Sequence, residues 1–323
     1  SVPSLLGGRA PFATSSSGGV NSMEEFFHQL TNGLAVGGIY ALIALGYTMV
    51  YGVLRLINFA HGDLFTLGSY LGLTLLFSLG LQGKMSGILV GGASTDVPRV
   101  REAVVARRPA RLAYRPLRGA NRLAAVVSAL GASIFFSNAI MLVYGARSQV
   151  YPNGILPSVA VSLLGVDIPL MRIVMFVGTV VLMLLLYGFI NHTRIGTAIR
   201  AVAIDQDTAK LMGINVDNII SMIFLIGPAL GGAAGVMMGL YYGQITYDMG
   251  FSFGLKAFTA AIMGGIGNIP GAMVGGILLG VLEAMGAAYV SIAWKDAIAF
   301  LVLILILIFR PTGLLGERVA EKI

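Results

Sequence analysis

The sequence contains no cysteine, few charged residues and only three histidines. Without cysteine the chain cannot form disulfide bonds, zinc-thiolate sites or a cysteine nucleophile. The histidines His28, His61 and His192 lie far apart and lack the spacing of metal ligands. The glycine-rich stretches also lack the Gly-Lys-Ser/Thr ending of a P-loop. We therefore expect no catalytic residue, no metal and no cofactor, and we expect that the chain is not an enzyme.

The low share of charge points to a membrane protein. Charged residues make up 11% of the 323 residues, hydrophobic residues make up 57%, and the mean hydropathy is +0.87. Soluble domains carry about a quarter charged residues. The 44 glycines indicate helices that pack closely within lipid.

The net charge of +7 is concentrated in one stretch. Residues 84–122 contain nine Lys or Arg and two acidic residues, so this stretch alone carries +7 and the rest is near neutral. Basic loops lie preferentially on the cytoplasmic face of a membrane protein. We therefore expect a cytoplasmic segment and no binding to nucleic acid.

Long apolar runs separated by polar segments predict an all-α, polytopic integral membrane protein with about eight transmembrane helices. The expected spans are 33–53, 64–81, 123–144, 168–190, 220–242, two spans within 253–290, and 298–309. In the fifth span, glycines recur every four residues and form a flat ridge for a neighbouring helix. The ridge includes Gly227, Gly231, Gly235 and Gly239.

The polar residues Asn58, His61 and Asp63 lie between the first two apolar runs. Within lipid such side chains are costly and usually mark a cavity or a transport pathway. A simple turn outside the membrane would explain the same residues, and composition leaves both interpretations open.

Residues 191–218 form a long polar segment between two spans and contain the signals of a short helix. Asp205 can cap free amides, Asp207 and Lys210 suit the first and last turns, and Gly213 suits the left-handed position after the helix. Leu211 and Met212 then need a surface to pack on. That surface could belong to a partner, or to this chain if the helix is an ordinary capped loop helix.

Lys256 and Glu283 are expected at similar depth on two antiparallel spans. They can form an ion pair, or each can extend separately to the membrane interface. The sequence leaves both arrangements open.

The segment Asp207-Thr208-Ala209-Lys210-Leu211-Met212-Gly213 resembles the Glu-Ala-Ala-x-x-x-Gly signature with which permeases of ABC importers engage their ATPase, although Asp and Thr replace Glu and the first Ala. Three further stretches add to this resemblance: INFAHGDLFTLGSYLG, AYRPLRG and GGIGNIPGAMVGG. With them, the chain resembles permeases of branched-chain amino-acid ABC transporters over about 24–316. The resemblance implies an ATPase-coupling role for residues of this short helix. These are Asp205, Asp207, Thr208, Ala209, Leu211, Met212 and Gly213. It also favours a broken helix at Asn58, His61 and Asp63, beside the translocation path.

The resemblance further implies half of a translocation pathway, a second homologous permease, two cytoplasmic ATP-binding subunits and a periplasmic or extracellular substrate-binding protein, in a bacterial plasma (inner) membrane. The implied cargo is leucine, isoleucine and valine. Related permeases carry urea, short amides or other amino acids. A secondary transporter acting alone is the alternative from another class; it would require inverted repeats or buried coupling carboxylates.

For domain organisation, we expect a disordered extension at 1–22, with Met23 as the native start, a permease domain at 23–316 and a cytoplasmic tail at 317–323. The domain includes the basic segment 83–122 and the coupling segment 191–218. Residues 91–111 contain two prolines and five arginines, cannot span a bilayer and depart from the family. Either a family helix is absent here or the reading frame is locally wrong. As it stands the chain has both termini inside, whereas restoring a helix would reverse the N-terminus.

Overall fold

A computed structural model describes residues 22–56, 58–78, 122–151, 159–163 and 166–316. Residues 1–21 of the predicted extension 1–22 lie outside the described residues, and the predicted tail 317–323 lies outside them as well. So does the stretch 79–121, which contains nearly all of the basic segment 83–122 and the whole of 91–111.

The described residues form a bundle of helices with two short two-stranded sheets. In chain order the elements are α1 Ser22–Leu54, α2 His61–Ser78, α3 Arg122–Tyr144, β1 Gln149–Val150, β2 Ala160–Leu163, β3 Val166–Pro169, α4 Leu170–His192, α5 Arg194–Ile204, α6 Gln206–Leu211, α7 Val216–Tyr242, β4 Gln244–Ile245, α8 Met249–Gly264, α9 Ile269–Tyr289, a 3₁₀ turn Ile292–Trp294 and α10 Lys295–Phe309. Strand β1 pairs antiparallel with β4, and β2 pairs antiparallel with β3.

Within the described residues, six helices are long and apolar enough to cross a membrane. They are α1, α3, α4, α7, α9 and the last helix, α10, taken with the 3₁₀ turn before it. Helix α8 has 16 residues, about 24 Å, which is shorter than a hydrocarbon core of about 30 Å. The all-α polytopic fold is confirmed, whereas the count of eight crossings stays a prediction.

Helix α1 is the centre of the bundle. Every residue from 35 to 50 is buried, and α1 contacts α4, α7, α8 and α9. Its closest neighbour is α9, where glycines let the two backbones meet. A Cβ on Gly37 would lie 2.8 Å from the carbonyl oxygen of Ile277, and a Cβ on Gly276 would overlap the backbone of Ala41. Close approach of this kind is the usual basis of helix association in lipid.

The glycine ridge of α7 faces α2 and its surroundings. A Cβ on Gly235 would overlap the carbonyl oxygen of Phe65 and lie 3.0 Å from the amide nitrogen of Ser69. A Cβ on Gly239 would overlap the ring of Tyr151. These contacts place α2 directly on the ridge that the four-residue spacing predicts.

The helix directions place the two ends of the described chain at opposite ends of the bundle. Helix α4 leads into α5 and α6, so α4 starts at the end opposite α6. There Arg172 Nη1 donates to the carbonyl oxygen of His28, 3.1 Å away, near the start of α1. The C-terminal end of the described chain lies at the α6 end. There Leu314 N donates to Met263 O, near the end of α8, over 2.9 Å, and the turn after α8 lies beside the end of α1. Of the two topologies that the sequence leaves open, the described residues match the one with a reversed N-terminus.

Lys256 and Glu283 belong to a cluster of four charges that joins α8, α9 and the start of α10. Lys256 Nζ lies 2.6 Å from Glu283 Oε1 and 2.6 Å from Asp296 Oδ1. Lys295 Nζ lies 3.3 Å from the same Glu283 oxygen. The Glu283 side chain is 1% exposed, so the two side chains pair within the bundle instead of reaching the interface separately. Asp296 and Lys295 begin α10, three residues before the span expected from hydropathy, and sequence analysis missed them.

We predict that Gly235→Leu lowers the stability of the protein by about 3 kcal/mol, because the added side chain has to separate α7 from α2. Gly188→Leu in α4 is the matched control, since no atom lies within 4 Å of a Cβ at that position. The yield of folded protein and the midpoint of thermal unfolding in detergent measure the difference. Equal yields and midpoints for the two variants would contradict the packing argument.

We also predict that Lys256→Met lowers the free energy of unfolding by about 3 kcal/mol, because it leaves the buried Glu283 carboxylate with only one cation. The control is Lys210→Met, whose ion pair with Asp207 has side chains 58% and 89% exposed. Exposed pairs contribute less than about 1 kcal/mol. Chemical unfolding in detergent compares the variants, and a similar loss in both would argue against the buried pair. A charge-swapped Lys256–Glu283 double variant is less clean, because Asp296 and Lys295 contact the same groups.

Candidate functional site

The connection from α1 to α2 lies inside the bundle. Helix α1 ends at Leu54, and Arg55 then adopts a left-handed conformation with φ of +54°. Asn58 is 4% exposed, and both His61 and Asp63 are 1% exposed. The three predicted residues are thus buried together around the start of α2, which fits a broken helix and not an exposed turn.

His61 lies near the middle of the bundle. A Cβ on Gly231 would lie 3.6 Å from His61 Nε2, and a Cβ on Gly227 would lie 3.7 Å from His61 Cε1. The two glycines lie about 17 and 23 Å along α7 from its first residue, at about 1.5 Å per residue. On the other side the His61 ring meets Tyr47 at a centroid distance of 4.7 Å. The glycines of the ridge therefore make room for an imidazole at mid-depth.

Helices α2 and α8 both begin at this level, with their first turns in contact. A Cβ on Gly62 would overlap the carbonyl oxygen of Gly250, and a Cβ on Gly250 would overlap that of Gly62. Glycine at both positions is what lets the two backbones touch. Helices that start within the membrane, in contact with one another, surround the cargo sites of many transporters.

Polar atoms around this contact lack partners among the described residues. They are the hydroxyl oxygens of Thr48 and Thr66, both fully buried; the His61 ring has a backbone partner at Ile43. An unsatisfied buried polar group costs about 1–3 kcal/mol. Asp63 differs, because Ser137 Oγ in α3 donates to its Oδ1 at 2.6 Å. Sequence analysis missed Ser137 and Thr66, since isolated hydroxyl residues in apolar helices give no pattern.

Helix α6 has the caps that its sequence predicts. Asp205 Oδ1 accepts hydrogen bonds from the amides of Asp207 at 2.9 Å and Thr208 at 3.2 Å. At the other end, Gly213 adopts φ of +85°. Two bonds close the helix there: Gly213 N donates to Lys210 O, and Ile214 N donates to Ala209 O, both at 3.0 Å. Caps at both ends explain how a helix of six residues holds its shape.

The outer face of α6 is apolar and exposed. Leu211 is 88% exposed and Met212 is 79% exposed, and Ile204 at the end of α5 is 85% exposed. Only Ala209 is buried, at 4%. The interpretation in which α6 packs on its own chain accounts for Ala209 and leaves Leu211 and Met212 without a surface among the described residues.

A hydrogen bond joins α6 to the end of α1. Gln206 Nε2 donates to the carbonyl oxygen of Val53 over 2.7 Å, and the bond is half-buried. Sequence analysis did not single out Gln206, because its partner is 153 residues away along the chain. The Lys256–Glu283 pair is separate from these groups, because it lies in the charge cluster between α8, α9 and α10.

Within the described part of the chain, no cluster of three or more His, Cys, Asp or Glu residues could hold a metal ion.

Known proteins match this chain over nearly its whole length. Residues 29–307 match the family described as the permease component of the branched-chain amino acid transport system. The high-affinity branched-chain amino acid transport system permease protein BraD of Pseudomonas aeruginosa is 47% identical over 308 residues, covering 93% of this chain and 100% of BraD. The corresponding protein LivH of Escherichia coli K12 is 43% identical over 301 residues, covering 92% of this chain and 98% of LivH. No solved structure matches the chain.

The helical membrane bundle and the match over residues 29–307 agree with one another. The chain belongs to the family of permease components of branched-chain amino acid transport systems.

Proposed function

We propose that this chain is the transmembrane permease subunit of an ATP-driven importer for branched-chain amino acids and forms half of its translocation pathway. The observation that carries the proposal is the identity of 43–47% to LivH and BraD over at least 92% of this chain. The permease itself is not an enzyme, so partner subunits supply ATP hydrolysis.

The assembly we propose contains this chain, a second homologous permease, two cytoplasmic ATP-binding subunits and a periplasmic or extracellular substrate-binding protein in a bacterial plasma (inner) membrane. The exposed apolar face of α6 supports the ATP-binding partners. A surface made by Leu211, Met212 and Ile204 is unfavourable in water and is expected to be covered by protein. With α6 in the cytoplasm, the basic segment 83–122 and the tail 317–323 are expected on the same side.

We propose that α6 docks into a cleft on one ATP-binding subunit. The caps at Asp205 and Gly213 hold the helix rigid, and Asp207, Thr208 and Lys210 surround its apolar tip with polar groups. A rigid element transmits a displacement better than a flexible loop does. ATP-driven movement of the partner would thus move α6 as one body.

The translocation pathway is proposed to pass the start of α2, beside Asn58, His61 and Asp63. The buried hydroxyl groups of Thr48 and Thr66 support this, because they lack hydrogen-bond partners among the described protein residues, and the buried His61 ring lies at mid-depth between Tyr47 and the ridge. Polar groups at membrane depth are retained where they meet water or a polar cargo.

The cargo assignment follows from the extent of the matches. The branched-chain relatives BraD and LivH match over nearly their full length, whereas an autoinducer 2 import system permease, LsrC of Yersinia pseudotuberculosis, is 26% identical over 58% of this chain. Urea, short amides and other amino acids are the alternative cargoes. A secondary transporter acting alone is disfavoured, because the buried carboxylates Asp63 and Glu283 are held by Ser137 and Lys256.

Uptake into proteoliposomes that contain the chain with its own partner subunits tests this function. We expect ATP-dependent import of leucine, isoleucine and valine, with competition among the three and none from urea or acetamide. Import of leucine by this chain alone, without ATP, would show a secondary transporter. Import of urea that is insensitive to leucine would overturn the cargo assignment.

For docking, we predict that Leu211→Asp reduces co-purification of the ATP-binding subunit at least about tenfold, because a buried interface loses an apolar contact and gains a charge. Leu211 is 88% exposed, so the permease itself should fold normally. Gly213→Val should also reduce co-purification, because valine strains the backbone at φ of +85°. This effect comes from the backbone alone, since no atom lies within 4 Å of a Cβ at that position. Val150→Asp at the opposite end, 63% exposed, is the control. Normal pull-down by both α6 variants would rule out this docking surface.

For the pathway, we predict that His61→Leu lowers leucine uptake about tenfold while the ATP-binding subunits stay bound, because the variant removes the imidazole nitrogens and keeps most of the volume. His28→Leu is the control: its side chain is half-buried at the far end of α1, and its backbone contact with Arg172 is retained. Uptake and ATPase pull-down are measured on the same preparations. Unchanged uptake in His61→Leu would place the pathway elsewhere.

A further inference from the structure

The side chain of Gln206 completes the end of α1. Gln206 is the first residue of α6, and Val53 lies in the last turn of α1. The last carbonyl groups of a helix have no donor within the helix. The Gln206 amide supplies one, with Nε2 to Val53 O at 2.7 Å. The polar bond between α6 and α1 is therefore directed at the point where α1 stops.

The end of α1 determines where the backbone turns back into the bundle. Two residues after Val53, Arg55 takes a left-handed conformation that is unusual for a residue other than glycine. Asn58 is buried a few residues later, and His61 then begins α2 at mid-depth. A shift in the end of α1 thus changes where the backbone turns back and where His61 is held.

Part of the contact between the coupling segment and α1 is apolar. Helix α5 packs against α1 and buries Ile199 and Val202. Apolar surfaces can slide over one another at small cost, whereas a hydrogen bond prefers a narrow range of distance and angle. The Gln206–Val53 bond is thus a directional contact between α6 and the end of α1.

We propose that Gln206 is a coupling residue, which transmits the movement of the docked α6 to the turn between α1 and α2 and so links ATP hydrolysis to the opening of the pathway at His61. The inference rests on the proposed docking of α6. It assigns to Gln206 a positioning role, with no contact to cargo or nucleotide.

The test compares Gln206→Met with Gln206→Lys in the complete transporter in proteoliposomes. Methionine has similar length and cannot donate a hydrogen bond, whereas lysine keeps a donor at similar reach. Three quantities are measured on each preparation: ATP-binding subunit retained, ATP hydrolysed in the presence of leucine-loaded binding protein, and leucine imported. In Gln206→Met we expect full retention and near-normal hydrolysis, with leucine imported per ATP reduced about three- to tenfold, the size expected for one neutral hydrogen bond. Gln206→Lys should restore most of the ratio.

Gln149→Met is the matched control. Gln149 Nε2 also donates to a carbonyl at the end of a helix, Tyr144 O in α3 at 3.1 Å, but at the opposite end of the bundle. We expect a normal ratio of import to hydrolysis in this variant. The comparison separates coupling from the general loss of a helix-end hydrogen bond.

The outcomes distinguish this inference from the proposed function. If the unaltered chain retains no ATP-binding subunit or imports no leucine, the proposed function fails. If the unaltered chain works and Gln206→Met has a normal ratio, the coupling role of Gln206 is wrong. A parallel fall of import and hydrolysis in Gln206→Met, or a low ratio in Gln206→Lys, would overturn it as well, since each shows a structural effect and not lost transmission through the donor.

Discussion

The close approach of helix backbones around α1 is the contact on which the rest of this structure depends. Lipid supplies no hydrophobic force between apolar helices, so association relies on packing at short range. Helix α1 meets α9 through Gly37 and Gly276, and α7 meets α2 through Gly235. With α1 buried from residue 35 to 50, neighbouring helices are positioned by their contact with it.

The same small residues make room for polar chemistry at the centre. Gly227 and Gly231 leave space for the His61 ring, and the contact of Gly62 with Gly250 lets α2 and α8 start inside the bundle. Helices that begin at mid-depth bring polar groups where continuous helices would bring only apolar ones. Helix packing and the space for buried polar groups therefore depend on the same glycines.

Helix α6 has an outward face and an inward contact. The outer face of α6 exposes Leu211 and Met212, where we propose that an ATP-binding subunit docks, while its first residue, Gln206, bonds inward to Val53. Caps at both ends make the six residues between them rigid. Away from α6, the cluster around Glu283 joins α8, α9 and α10.

The sequence by itself determined the class of protein and the local structure of α6. Membrane class follows from composition, and the caps at Asp205 and Gly213 follow from groups only two to five residues apart, whose geometry is set by the helix. The ridge spacing indicated a packing face, although not which helix would cover it. Only the tertiary structure decided that α2 covers the ridge and that Ser137 binds Asp63. It also decided that Asp296 and Lys295 join the Lys256–Glu283 pair. The contact of Gln206 with Val53 likewise depends on the tertiary structure. The physical reason is that long-range partners depend on helix directions and depths, which periodicity along one segment does not contain.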